Sequence, residues 1–349
     1  MLSMNKLIAY GIIGVTLVTL ICSISLFAMI NIKINTPINS LAFYKESVEF
    51  TVEKGARAKE VTGALFDRDI IPDPWAINLY AKLAGLTNIK AGRYKLNSVD
   101  TPLTLLKKFN SGEVIQYQIT FVEGWSFSQW LSHFSAIDQF DKTDKRDLLN
   151  SLKLSGIDDV NLEGWFFPDT YYYLSSDTAL DIMLRAHRKM KRVLALEWAG
   201  RATELPYKTP YEALIMASII EKETGLAEER EEIAGVFVRR LLKGMRLQTD
   251  PTVIYGMGDQ YDGDLRRRDL RQPTPYNTYL IRGLPPTPIA MPSGASISAA
   301  LHPKAGSSLY FVARGDGGHY FSNTLQEHRD AVNKYQLEQR AENYRSAPN

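Results

Sequence analysis

The sequence predicts an α+β protein held to a membrane by one N-terminal helix. A small α+β module follows, then a larger mixed α/β domain in which an acidic residue ends a buried helix. Three observations carry this. Residues 7–30 hold no charge. Residues 47–122 switch between strand and helix periodicities. Residues 213–225 read ALIMASIIEKETG, so Glu221 follows eight residues of which only Ser218 is polar.

The uncharged run comes first. As a helix its 24 residues would extend about 36 Å, enough for a hydrocarbon core of about 30 Å. It is too long for the apolar region of a cleaved signal peptide, and no A-x-A site follows it. Ile21 before Cys22 is too bulky for a lipoprotein cleavage site. A single-pass anchor is therefore expected over 7–30, behind a tail at 1–6. Lys6 stands before it and Lys33 and Lys45 after it, so the charges leave the orientation open. Residues 31–46 are polar with one proline and read as a linker.

In the module, Val48, Phe50 and Val52 alternate as a strand does. Val61, Leu65 and Phe66 suit one helical face, and Trp75, Leu79 and Leu83 a second. Residues 91–96 form a short strand. Thr101-Pro102 opens a helix that Gly112 closes, and Ile115, Tyr117, Ile119 and Phe121 alternate as a further strand. No metal ligands or paired acids stand out, so the unit reads as a binding or positioning module. Its sequence, VEFTVEKGARAKEVTGALFDRDII with IKAGRYKL, resembles the LysM-like module of some peptidoglycan enzymes.

The larger domain is expected over 123–349. Ser126 to Gln129 is a capping box opening a helix through Trp130 and Phe134. NLEGWFFPDTYYYL, 161–174, is aromatic and loop-like, and a helix runs from about 178 to 199. Thr209-Pro210-Tyr211-Glu212 reads as a capping box with proline at the first position, and Gly225 as a stop. The next helix has Glu228, Glu229, Glu231 and Glu232 at its start and Arg239, Arg240 and Lys243 at its end, a solvated face complementing the helix dipole. Beyond Gly244 long loops are expected, holding LQTDPTVIYG, YNTY and GLPPTPIAMP. Residues 309–313 form a strand, 315–318 a turn into His319-Tyr320-Phe321, and the chain ends as a polar helix and tail.

At about 100° per residue Leu214, Ala217, Ser218 and Glu221 share a face and Glu223 points roughly opposite. Burial and the negative end of the helix both push a carboxyl at 221 toward protonation, as a general acid requires. The alternative is a structural Glu paired with Lys222 or a distant arginine.

Forty-one basic against 39 acidic residues argue against a nucleic-acid surface. Cys22 is the only cysteine, so no disulfide is expected. His133, His187, His302, His319 and His328 show no H-x-x-x-H spacing, and no phosphate loop appears. Neither metal nor cofactor is expected. Eighteen tyrosines and five tryptophans suit sugar stacking or core packing alike.

EGWFFPDTY, ASIIEKETG, LQTDPTVIYG, YNTY and GLPPTPI, in that order behind one anchor, closely resemble the bacterial YceG-like endolytic murein transglycosylase family. The resemblance covers nearly the whole chain. It implies nonhydrolytic cleavage of peptidoglycan between N-acetylmuramic acid and N-acetylglucosamine, leaving a 1,6-anhydromuramyl end. Glu221 falls on the family's catalytic acid. The resemblance further implies an inner-membrane protein with its catalytic domain on the periplasmic side, terminating nascent strands alongside peptidoglycan synthases.

A lytic transglycosylase manages with one carboxylate, because the substrate's own 6-hydroxyl attacks the anomeric carbon. Gln248, Asp250 and Tyr255 in one loop, and Asn277 and Tyr279 in another, are candidate sugar contacts, with Ser218 on the Glu221 face. Turn, core or capping roles would serve these residues equally. Glu163 and Asp169 are candidates for a second acid, and Glu163 equally for a hydrogen-bonder fixing the aromatic loop. Two other readings stay open: a hydrolytic muramidase using Asp250 or Glu163, and a non-enzymatic cell-wall scaffold.

Overall fold

The computed structural model describes residues 4–38, 47–140, 144–157 and 161–338. The chain divides into two units, residues 1–117 with 172–176, and residues 118–171 with 177–349.

In the first unit α1 (Met4–Asn35) is one continuous helix. Within Tyr10–Asn35 an 18-residue window reaches a mean hydropathy of 2.4, and the helix is long and apolar enough to cross a membrane. The linker expected from residue 31 begins instead as helix. Ile30 and Ile34 stack four residues apart on one face, and with Ile38 they enter the core of this unit. The rest of that expected linker, 39–46, lies outside the described residues.

β1 (Ser47–Val52) and β2 (Gly92–Asn97) pair antiparallel, Ser47 opposite Asn97 and Val52 opposite Gly92. Their inward Phe50, Val52, Tyr94 and Leu96 pack with α2 (Ala58–Asp67), α3 (Pro74–Leu83) and α4 (Pro102–Ser111). The helix faces differ from those expected in two places. Phe66 is exposed while Val61 and Leu65 are buried, and α3 buries Ala76, Ile77 and Ala81, leaving Trp75 and Leu83 outside. Small alanines let α3 approach its neighbours closely, so size and not hydrophobicity decides which face turns in.

β3 (Tyr117–Thr120) pairs with β4 (Thr170–Tyr173), so the aromatic segment expected as loop ends in a strand. The second unit contains α5 (Phe127–Ser135), α6 (Lys145–Leu154), α7 (Ala179–Ala199), α8 (Pro210–Glu223), α9 (Arg230–Leu242), α10 (Asp250–Met257), α11 (Gly294–Leu301), the antiparallel pair β5 (Tyr310–Ala313) and β6 (His319–Ser322), and α12 (Leu325–Val332).

α8 is the centre of this unit. Ala213 through Ile220 are all buried, packed among α7, α9, α10 and α11. A helix enclosed on every side needs apolar residues all round, which explains its uninterrupted sequence. Its caps differ from expectation. Thr209 accepts from the Glu212 N–H, but the Glu212 carboxylate accepts from the Lys208 N–H, so the box is half formed. The helix stops at Glu223 through an extended Thr224, and Gly225 takes no left-handed conformation.

Two stretches expected as loop are helical. Pro251 sits in the first turn of α10, where its missing N–H costs nothing, and Ser293 caps α11. The charges around α9 are not all solvated. Glu229 is buried and accepts from the His319 N–H at 2.8 Å. Arg240 is buried too, and its Nε donates to the Leu309 carbonyl at 2.6 Å. Both fasten the β5–β6 hairpin to α9.

Candidate active site

The last turn of α8 meets the first turn of α11. Glu221 Oε2 accepts from the Ser293 N–H at 2.9 Å and from the Ser293 hydroxyl at 2.5 Å. The same hydroxyl oxygen accepts from the Ser296 N–H at 3.2 Å, as the N-cap of α11. The carboxylate thus lies between the negative end of one helix and the positive end of another. It is half-buried, not enclosed as its apolar approach suggested. Its neighbour Lys222 does not pair with it; the ammonium donates to the Gly124 carbonyl at 3.3 Å.

A strap formed by residues 283–293 holds Ser293 in place. The Ile289 N–H donates to Ser218 Oγ at 3.0 Å, and that hydroxyl donates to the Ile215 carbonyl at 2.7 Å. Further along, the Met291 N–H donates to the Trp125 carbonyl at 2.8 Å and the Gly124 N–H to the Met291 carbonyl at 2.9 Å. Ser218 is therefore a buried anchor for the strap, its hydroxyl engaged on both sides.

The tripeptide Glu-Gly-Trp occurs at 123–125 and again at 163–165, each glycine at positive φ and each packed on α8. The first brings in a carboxylate that sequence reasoning missed. Burial, and then the charge of Glu221, hold the Glu123 carboxyl above its usual value, with Arg230 partly offsetting them. The repeat itself was the available signal. The second tripeptide buries Glu163 to 4% exposure. Its two oxygens accept from the Phe127 N–H at 2.9 Å and the Tyr255 hydroxyl at 3.1 Å. Burial outweighs both bonds and pushes its pKa up to about 7. Asp169 pairs with Lys189 and accepts from the Thr170 N–H at 2.8 Å.

Glu223 leaves the helix on another side, as its spacing from Glu221 implied. It accepts from the Thr249 hydroxyl and lines a cavity of about 530 Å³ with Arg240, Gln248, Asp250 and Tyr279. Burial first, and Asp250 in addition, push its pKa up to about 7 against Thr249 and Arg240. The Tyr279 hydroxyl donates to Asp250 Oδ1 at 2.6 Å. Gln248 stands exposed on a left-handed backbone, φ +53°.

The structure therefore gathers Gln248, Asp250 and Tyr279 in one cavity, but separates Tyr255, which turns to Glu163. Five residues along α10 rotate Tyr255 about 140° from Asp250. Asn277 is fully buried, and its amide is spent on the loop: Nδ2 donates to the Gln272 carbonyl at 2.8 Å and Oδ1 accepts from the Tyr279 N–H at 3.0 Å. It locks the loop that carries Tyr279 and has no polar atom left for a sugar. Ser293 was not singled out from the sequence; a serine before the apolar ISAAL run was the signal available for it. For Glu223 the sequence offered only its direction.

Residues 50–334 match the model of the YceG-like family. A relative from Bacillus subtilis (strain 168), named endolytic murein transglycosylase, is 33% identical over 309 residues, covering 83% of this chain and 85% of its own. One of the same name from Streptococcus pneumoniae (strain R6) is 26% identical over 321 residues, covering 81% of this chain and 57% of the longer relative. The crystal structure of a YceG-like protein from Listeria monocytogenes superposes with a TM-score of 0.52 at 30% identity, over 82% of this chain and 99% of that one.

Proposed function

The chain belongs to the YceG-like family, and from that premise we propose that it cuts peptidoglycan glycan strands as an endolytic lytic transglycosylase. The observation that carries the reading is the two-donor clamp of Ser293 on Glu221, which fixes one acid at the joint of two helices. Glu221 donates its proton to the glycosidic oxygen between N-acetylmuramic acid and N-acetylglucosamine. It then takes the proton of the muramyl 6-hydroxyl as that oxygen bonds to the anomeric carbon. The products are a 1,6-anhydromuramyl end and a free 4-hydroxyl, and no water is consumed.

Gln248, Asp250 and Tyr279 line a cavity large enough for a sugar ring and supply hydrogen-bonding groups beside an aromatic face. On this reading they bind glycan. α1 anchors the chain in the cytoplasmic membrane with the second unit on the periplasmic side, the first unit is a LysM-like glycan-positioning module, and peptidoglycan synthases are its working partners. Digestion of purified glycan strands by the full chain in detergent tests the reaction. Anhydro ends are expected from the wild type and at least about 100-fold fewer from Glu221→Gln; reducing ends instead would assign a hydrolase.

A second reading makes Glu223 the acid. It is favoured by a pKa near 7 on a carboxyl that lines the cavity.

A further inference from the structure

We propose that the first unit rests directly on the bilayer with Trp75 in the lipid headgroup layer; this inference builds on the reading of α1 as a membrane anchor. The anchor does not end before the module begins. Ile30 and Ile34 are 7% and 1% exposed, in one core with Phe50, Ile77 and Leu96, whereas Phe27 and Ile32 of the same helix are 70% and 68% exposed. A flexible tether would leave every face of its last turns wet. Here one face is core, so the height of the module along α1 is fixed.

Lys33 is the first charge after the apolar run. It lies three residues beyond Ile30, about 4.5 Å along the helix axis. The polar layer on each side of the hydrocarbon is about 5–7 Å deep, which puts Lys33 within it. The ammonium of Lys33 pairs with Asp73, and Asp73 caps α3 by accepting from the Trp75 N–H at 2.9 Å. The ion pair therefore sets the first turn of α3 at headgroup height.

Trp75 is 52% exposed in that turn, although α3 buries the smaller Ala76, Ile77 and Ala81. An indole has an apolar body and one polar N–H, which suits it to the boundary between headgroups and acyl chains. The occupant of this surface is lipid and not a protein partner, because α1 continues from it straight into the hydrocarbon. Headgroups are the first thing any surface at this height meets.

The test uses the full chain in phosphatidylcholine–phosphatidylglycerol vesicles, with bromine carried either near the headgroup or near the acyl ends. Trp75 is one of five tryptophans, and comparison with Trp75→Phe isolates it. Quenching by shallow bromine is expected to be greater in the wild type than in the variant, by up to about a fifth of the emission, and greater than quenching by deep bromine. Equal quenching in the two proteins, or stronger quenching by deep bromine, overturns the docking. Release of the chain by alkaline carbonate would instead remove the anchor reading, and the docking with it.

Discussion

Ser293 gives both of its donors to one oxygen of Glu221, the N–H at 2.9 Å and the hydroxyl at 2.5 Å. Ser293→Ala removes one donor to the carboxylate and the side-chain cap of α11. An orienting hydrogen bond is worth about 0.5–1.5 kcal/mol, so turnover on purified glycan is expected to fall about twofold to tenfold with KM little changed. Loss of the cap costs about 1 kcal/mol of stability, which thermal unfolding reads separately. Turnover at the wild-type level would deny Ser293 a positioning role.

The two acids of the EKE triplet separate by paired substitution. General acid–base catalysis contributes about 10²–10⁴-fold, so Glu221→Gln is expected to lose activity by that factor. Glu223→Gln is expected to keep activity within about tenfold, since its carboxyl serves the cavity. Because Glu223 titrates at about 7, its replacement is also expected to flatten the pH dependence around neutrality. Initial rates of anhydro-end formation from acid to alkaline pH decide the matter, and the reverse ranking transfers the acid role to Glu223.

How far these positions were legible depends on the range of the forces that set them. Most strands and helices, the Glu221 helix among them, follow from local periodicity, whereas β4 lay in a segment read as loop, and α8 is apolar all round because it is enclosed. The faces of α3 were not legible, because Ala76 and Ala81 are chosen by how closely neighbours approach and not by hydrophobicity. Nor were α10 and α11, whose short sequences are dense in the glycine, proline and serine that mark loops elsewhere. Gln248, Asp250 and Tyr279, read from two separate motifs, were brought together by the fold in one cavity. Asn277 was not among them, since its amide is consumed by carbonyls that only the folded loop brings near. Ser293 and Glu223 meet their partners across 72 and 26 residues, distances at which a single sequence carries no signal.

Glu163 gives a stability prediction with a definite sign. Its pKa is about 7 in the folded protein against 4.5 as the ordinary value, so the folded state holds this proton more tightly. Its contribution is fully present below pH 4.5, falls as pH rises, and is lost by the folded value. A shift of this size corresponds to about 3 kcal/mol. Urea unfolding across this range is expected to show the wild type weakening toward alkaline pH. Glu163→Gln keeps the shape without the charge and is expected to lose roughly half of that slope, because Glu223 titrates in the same window. An unchanged slope in the variant would place the ionisation elsewhere.

The two Glu-Gly-Trp glycines should respond differently to alanine. Both are left-handed, Gly124 at φ +74° and Gly164 at φ +83°, and each substitution carries a backbone cost of about 1–2 kcal/mol. At Gly124 the nearest atom to a new Cβ is Glu221 Cγ at 3.6 Å, an ordinary contact. At Gly164 it is Pro288 Cγ at 2.5 Å, so the strap must move. Overpacking of this kind adds about 1–3 kcal/mol. Pro288 precedes Ile289, which hangs on Ser218 Oγ, and the same strap ends at Ser293. Gly164→Ala is therefore expected to lower stability more than Gly124→Ala and to reduce turnover with it, because displacing the strap pulls both donors from Glu221. Urea unfolding and turnover measured on the two variants test this together; full activity in Gly164→Ala would mean that the strap yields without carrying Ser293 along.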